Sequence, residues 1–218
     1  IGLYPVAIDA EPVCAFRAFE RFLRRDGDTE VVSVLVDIRG ANTWVLFARG
    51  RQIGFIKSVN VGLHHFTQAI AAQLNLEYAE AVEVRRRQGA LSASDNPEQI
   101  RQAVRDAVRP VAEELTREIN LCLRYCAVTF RGSRPDRVTL VGEAAADACV
   151  RELICESINL ECQTGRPFKG IDSSQVALGS DQRGPLCEWS VAVGLALRDL
   201  VVGDMRQEDA DETDRLSA

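Results

Sequence analysis

The chain has 218 residues, 46% apolar, 27% charged and 6% aromatic, with a net charge of −6. This is ordinary globular composition for one to two domains, able to bury roughly 70% of the unfolded surface; it excludes collagen-like, mucin-like and wholly disordered chains. No apolar run approaches the roughly 18 residues that cross a bilayer, and the body, almost neutral apart from an acidic C-terminal stretch, lacks the basic face that nucleic acid requires.

Taken in chain order, residues 5 to 24 read as a helix, with Pro5 near its start and Val13, Phe16, Phe19 and Leu23 at helical spacing. The run ending at Asp28 breaks it. Val31 to Asp37, rich in β-branched residues, reads as a buried strand. Thr43 to Ala48 and Ile53 to Val61 follow after tight turns at residues 39–42 and at Gly50, which predicts an antiparallel meander. Gly62 punctuates the exit. Amphipathic helices are expected through Phe66, Ile70 and Leu74 and from Glu77 to Arg87. Asp95 or Asn96 with Pro97 signals the start of a long helix. From Ile100 to Cys126 its apolar residues keep a step of three or four, and Pro110 is expected to kink or restart it. Its arginines (Arg101, Arg105, Arg109, Arg117, Arg124) read as a solvated face or a partner surface. A strand at Arg137–Val141, a helix at 144–158, a short strand at 160–162, an irregular loop at 163–185 and a buried helix at 188–202 complete the order. That order predicts an α/β layer sandwich on a mixed sheet, not a doubly wound fold, because the first three strands lack crossover helices. From Gly203 to Ala218, six acids (Asp204, Glu208, Asp209, Asp211, Glu212, Asp214) face two arginines, which predicts a solvated, disordered tail. The chain opens on Ile1 inside sequence that reads as structured, and is expected to be a fragment or processed product.

The seven cysteines (14, 122, 126, 149, 155, 162, 187) contain no C-x-x-C spacing, a pattern suited to a reduced cytoplasmic compartment. Cys122 and Cys126 share a helix face and read as small core residues rather than a metal edge. His64 and His65 point about 100° apart on a helix and read as surface or cap residues. Only Lys57 and Lys169 are lysine, and neither follows a glycine-rich run, so no Walker-type phosphate loop is present. The sharpest local feature is VVSVLVDIRGANTWVLFARG. Its Asp37 ends a buried strand, where a carboxylate is costly unless paired or metal-bound. Turn amides there can form an anion nest, with Asp37 holding a hydrated magnesium beside it. The alternative is that Asp37 and Thr43 merely cap the hairpin.

Five segments in order resemble the C-terminal half of PilM-like proteins, the actin-like members of the type IV pilus inner-membrane assembly complex. IGLYPVAIDAEPVCAFRAF resembles the segment leading out of the family's first domain. VLVDIRGANT resembles its second phosphate loop, VNVGLHHFTQAI the strand–glycine–helix segment that follows, DRVTLVGEAAA the strand and adenosine turn, and SVAVGLALRDL the late helix. The resemblance runs from Ile1 to about Leu200. It implies an actin-like (ribonuclease H-like) fold in which residues 1–30 belong to or lead out of a first domain, 31–202 form the second domain with a helical subdomain at about 77–130, and 203–218 are a tail.

The resemblance also implies ATP and Mg as ligands, with Asp37, Arg39, Gly40, Thr43, Gly62, Arg85, Gly142 and Glu143 lining this half of the site and Asp37 reaching Mg through water. The sequence departs from the family's pattern in four motifs. Arg39 stands at the first turn glycine, with Gly40 following. Leu63 replaces the second glycine after the meander. An A-E-x-x-K contact has become Ala81, Val82 and Arg85, and Glu143 replaces a glycine of the adenosine turn. Glycines there let backbone amides approach a ligand without a Cβ in the way, so the departures predict a weakened or lost nucleotide site and no catalysis. The implied role is a cytoplasmic scaffold of a type IV pilus or related type II secretion complex. It would be peripheral at the inner membrane through the tail of a PilN-like partner and would not itself span the membrane. The alternatives are an ATP-binding switch resembling FtsA and, further off, a relative of sugar and acetate kinases.

Overall fold

A computed structural model describes residues 4, 7–23, 25–90, 98–130, 135, 137–158, 160–172 and 184–198. The first helix, α1 (Glu11–Glu20), is shorter than the 5–24 expected. Pro12 sits in its first turn, where a missing N–H leaves no intrahelical bond unmade. Phe16 and Ala18 are buried. Asp26–Glu30 then forms a 3₁₀ turn.

The meander appears where the β-branched runs placed it, as β1 (Val32–Ile38), β2 (Thr43–Arg49) and β3 (Gln52–Val59). β1 and β2 pair antiparallel from Val32↔Arg49 to Ile38↔Thr43, and β2 pairs antiparallel with β3. Three helices follow: α2 (Leu63–Leu74), α3 (Tyr78–Ala90) and α4 (Glu98–Thr129). The expected cap of α4 at Asp95, Asn96 and Pro97 lies outside the described residues. α4 does not restart at Pro110: it is one helix of 32 residues with the proline inside it. Its inward stripe (Val104, Val108, Leu115, Ile119, Cys122, Cys126) is buried, so the two cysteines are core residues as read.

β4 (Arg137–Val141) lies parallel to β1, from Val34↔Val138 to Asp37↔Val141. The helix expected over 144–158 is divided. Glu143–Ala146 is a 3₁₀ turn, Asp147 is extended, and α5 (Ala148–Ser157) begins after it. The Asp147 side chain accepts from the amides of Cys149 and Val150, an N-cap that starts a new helix. β5 (Glu161–Thr164) lies parallel to β4 and sits slightly later than the expected 160–162. The last helix, α6, is described over 190–198; it begins later than the 188 expected, after a 3₁₀ turn at Cys187–Trp189, and 199–202 lie outside the described residues. It is not buried all round: Val193 and Ser190 are buried, whereas Leu195 is 53% exposed. Gly194 turns one face of the helix against the Cys14 carbonyl of α1, where a Cβ would not fit. Residues 203–218, read as an acidic tail, lie outside the described residues.

The sheet order is β3-β2-β1-β4-β5, the mixed sheet expected. Ser33, Leu35, Thr139 and Gln163 share a cleft with Phe16 and Phe19 of α1. Alternation therefore turns Val34, Val36, Val138 and Leu140 to the opposite layer, where α2, α4 and α5 pack together. Both faces of β1 and β4 are covered, which is why these central strands read as continuous apolar runs.

Candidate functional site

Parallel pairing brings the ends of β1 and β4 to the same edge of the sheet. Asp37 pairs with Val141, and Gly142 is the next residue. The edge where strands end and the chain order turns back is where sheets of this class bind ligands. Gly142 has φ +87°, and a Cβ there would overlap Asp37 Oδ1 and the Ile38 carbonyl. No other residue fits that position without moving β1. Asp37 and Gly142, both expected to line the site, thus meet.

Asp37 is 3% exposed, and its Oδ2 has no hydrogen-bond partner among the described residues. Arg39 Nη1 stands 3.8 Å from that oxygen and 3.4 Å from Glu11 Oε1 of α1. Burial pushes the Asp37 carboxyl up to about 6; the Arg39 guanidinium opposes this, and the charges of Glu11 and Glu143 reinforce it. Glu143 is exposed at the head of the 3₁₀ turn. It is not paired with Arg39, whose acidic neighbours are Asp37 and Glu11.

The hairpin turn closes on itself and on α2. The Arg39 N–H donates to Asn42 O at 3.0 Å. The amides of Leu63 and His64, the first turn of α2, donate to the carbonyls of Arg39 (2.7 Å) and Gly40 (2.8 Å). These are donors that a helix leaves without intrahelical partners, and here the hairpin takes them. Gly62 allows the approach, since a Cβ there would strike Arg39 O and Asn42 N. The Thr43 hydroxyl donates to Val61 O at 2.6 Å, so Thr43 ties the meander's exit rather than capping the hairpin turn. The Gly62 N–H donates to His65 Nδ1 at 3.1 Å, and the His64 ring meets the Tyr78 hydroxyl at 2.9 Å. The histidines are a cap and a surface contact, as read.

Arg85 projects from α3 to Asp147, 3.6 Å between Nη1 and Oδ2, and its Nε is buried with no hydrogen-bond partner among the described residues. Burial raises the Asp147 carboxyl, while the Val150 and Cys149 amides and Arg85 pull it back. The structure therefore gathers Asp37, Arg39, Gly142 and Glu143 in one place. Gly40, Thr43 and Gly62 lie on the adjoining turn, and Arg85 is engaged with the cap of α5.

Two participants were not read from the sequence. Asp147 had a local signal, a cap residue followed by helix formers, which the longer expected helix overran. Cys187 had none. It accepts the Gly142 N–H at its carbonyl (3.1 Å), and its thiol reaches the Gly142 carbonyl at 3.5 Å. Leu186, with φ +53°, aims the segment there. Chemically, the place offers a buried carboxylate, one oxygen of which has no hydrogen bond among the described residues, beside a guanidinium, an arrangement able to hold a proton.

The model of the family described as type IV pilus assembly protein PilM matches residues 1–200. No curated protein matches the chain. Among solved structures, a chain of the PilM–PilN type IV pilus biogenesis complex is 26% identical with a TM-score of 0.69, over 90% of this chain and 54% of that one. MreB5 of Spiroplasma citri bound to ADP (14%, TM-score 0.57, 94% of this chain and 63% of that one) and the ethanolamine utilization protein EutJ from Carboxydothermus hydrogenoformans (18%, 0.56, 86% and 53%) share the fold. The chain spans about half the length of the pilus-complex chain it matches.

Proposed function

The chain belongs to the PilM family of type IV pilus assembly proteins, and on that premise we propose that it is the second actin-like domain of a scaffold in a type IV pilus or related type II secretion complex. Residues 1–30 lead out of a preceding domain, and 31–202 form the second domain with a helical subdomain at 77–130. The whole protein sits on the cytoplasmic side of the inner membrane, held there by the tail of a PilN-like membrane protein. The similarity to a chain of the solved PilM–PilN complex supports this placement.

In this reading the nucleotide site is weakened or lost. The observation that carries it is the self-satisfaction of the groups that would cradle an anion. The first-turn amides of α2 are bonded to the hairpin, and the Gly142 amide is bonded to Cys187. Glu143 adds negative charge beside Asp37. One observation favours the alternative, an ATP-dependent switch: Asp37 Oδ2 accepts no hydrogen bond among the described residues, which leaves a carboxylate oxygen for the water shell of a magnesium ion. Such an ion would neutralise phosphate oxygens, with Asp37 holding its water shell and Arg39 adding a second positive charge.

Equilibrium dialysis of labelled ATP against the full-length protein separates the two readings. The scaffold reading expects no saturable uptake at millimolar ATP with or without magnesium, together with retention by an immobilised PilN-like tail peptide. Saturable, magnesium-dependent uptake that Asp37→Asn abolishes establishes the switch. Failure of the tail peptide to retain the protein removes the proposed membrane link.

A further inference from the structure

Beside its buried stripe, α4 carries a second periodic pattern. Glu113, Asn120 and Ala127 recur every seven residues. Thr116 and Leu123 stand three residues after the first two of these, and Arg117 and Arg124 follow directly. A repeat of seven traces a seam that stays against one neighbour when that neighbour is also a helix. These residues line a groove of about 700 Å³. Its other wall is Ser157, at the end of α5, with Pro135 and Leu160, which stand just before β4 and β5. The groove therefore lies where the parallel strands begin, at the opposite edge of the sheet from Asp37 and Gly142.

The groove's own chemistry selects its occupant. Thr116 is 3% exposed, and its hydroxyl has no hydrogen-bond partner among the described residues; a buried hydroxyl left unmet costs stability that a facing polar group recovers. Arg101, Arg105 and Glu118 of α4 have ion-pair partners, whereas Arg117 and Arg124, both exposed, have none among the described residues. Against these two arginines the described lining offers one acid, Glu113. Two turns separate the arginines, about 10.5 Å along the axis, which is too far for a single carboxylate or phosphate to bridge. A helix lying along α4 presents carboxylates at that same two-turn spacing. The molecule already contains such a contact: Arg105 of α4 holds Glu156 and Glu152 of α5. α5 ends at Ser157, and the groove runs along α4 from there to Ala127.

We propose that this groove is the docking surface for an acidic amphipathic helix of a partner protein, seated along α4 beyond the end of α5. Its carboxylates meet Arg117 and Arg124, its apolar side chains pack on Leu123, Ala127 and Leu160, and a polar side chain between them meets Asn120 and the Thr116 hydroxyl. Polar groups on such a seam fix the register of the incoming helix and lower the stability of the contact, so the docking is specific and reversible. The groove shares no residue with the Asp37 edge.

The test titrates the full-length protein into a fluorescently labelled peptide of about three heptads, with leucine at a and d, one central asparagine at a, and glutamate at e and g. Repulsion between its own glutamates keeps the peptide from pairing with itself. A saturable rise in fluorescence anisotropy is expected, and a matched peptide with lysine in place of every glutamate should not bind. Arg117→Glu combined with Arg124→Glu should weaken binding of the glutamate peptide by at least about tenfold and confer binding of the lysine peptide, an exchange that an unfolded variant could not show. No saturable binding of the glutamate peptide, equal binding of both peptides by the unsubstituted protein, or a double variant that keeps the glutamate peptide at full affinity each overturn the proposal. So does a dimer in sedimentation that the double charge reversal dissolves, because a second copy would then fill the groove. The comparison of the two peptides on the unsubstituted protein stands even if the double variant folds poorly.

Discussion

Asp37 concentrates the conflict between folding and site formation in one side chain. Its carboxyl is held near 6 by burial, against an ordinary value of 3.8. The folded state therefore binds more protons than the unfolded state between about pH 4 and 6, and stability falls as pH rises through that window. Above it the full penalty applies, at most about 3 kcal/mol for a shift of this size. Asp37→Asn should remove the penalty. The unfolding free energy from urea titration is expected to rise by about 1–3 kcal/mol over the parent at pH 8 and to change little near pH 4; a variant less stable than its parent at pH 8 would show that Arg39 makes the ionised carboxylate favourable. The sequence announced a charged residue at the end of an apolar strand. It did not announce that Oδ2 goes without a hydrogen bond, because that depends on what β4, α1 and the Gly142 turn bring within reach. Gly142 itself was legible as a turn residue. The reason it must be glycine, the Asp37 carboxylate behind it, was not.

Elements were readable where one physical signal ran uninterrupted. Periodicity from Ile100 to Cys126 located α4, and β-branched runs located β1. Boundaries failed where a local competitor acted, such as Asp147 capping α5 in the middle of an apolar stretch, or Pro12 fixing a later start for α1. Pro110 is the informative exception, since α4 continues through it. A proline inside a helix forfeits its hydrogen bond to the carbonyl four residues before, here Asp106, and crowds that carbonyl. Pro110 is exposed, so water is available to the carbonyl and the buried stripe holds the helix together. Pro110→Ala should restore the bond and raise the unfolding free energy by about 1–3 kcal/mol. A lower midpoint would mean instead that the proline shapes α4 to fit α2 and α5. The arginines of α4 were read as a solvated face or a partner surface. Arg105 is neither, because it grips Glu156 at 2.6 Å and Glu152 at 3.5 Å and joins α4 to α5.

At the scale of the molecule, α1, the sheet, α2 to α5 and Cys187 belong to one buried cluster. Trp44 lies on β2 and Trp189 beside α6, 40% exposed. Single-tryptophan variants should unfold in coincidence with each other and with the far-ultraviolet circular dichroism; an earlier transition at Trp189 would show that the Cys187–α6 segment leaves the core first. The order of elements, the antiparallel meander followed by parallel strands, and the identity of the turn glycines were determined by the sequence alone, because propensity, alternation and turn chemistry act over a few neighbouring residues. The pairing of Asp37 with Val141, the capture of α2's amides by the hairpin and the Cys187 contact to Gly142 were decided only by the tertiary structure. Each joins backbone or side-chain groups from different elements, and no local preference specifies which groups will share a partner once water has been removed from between them.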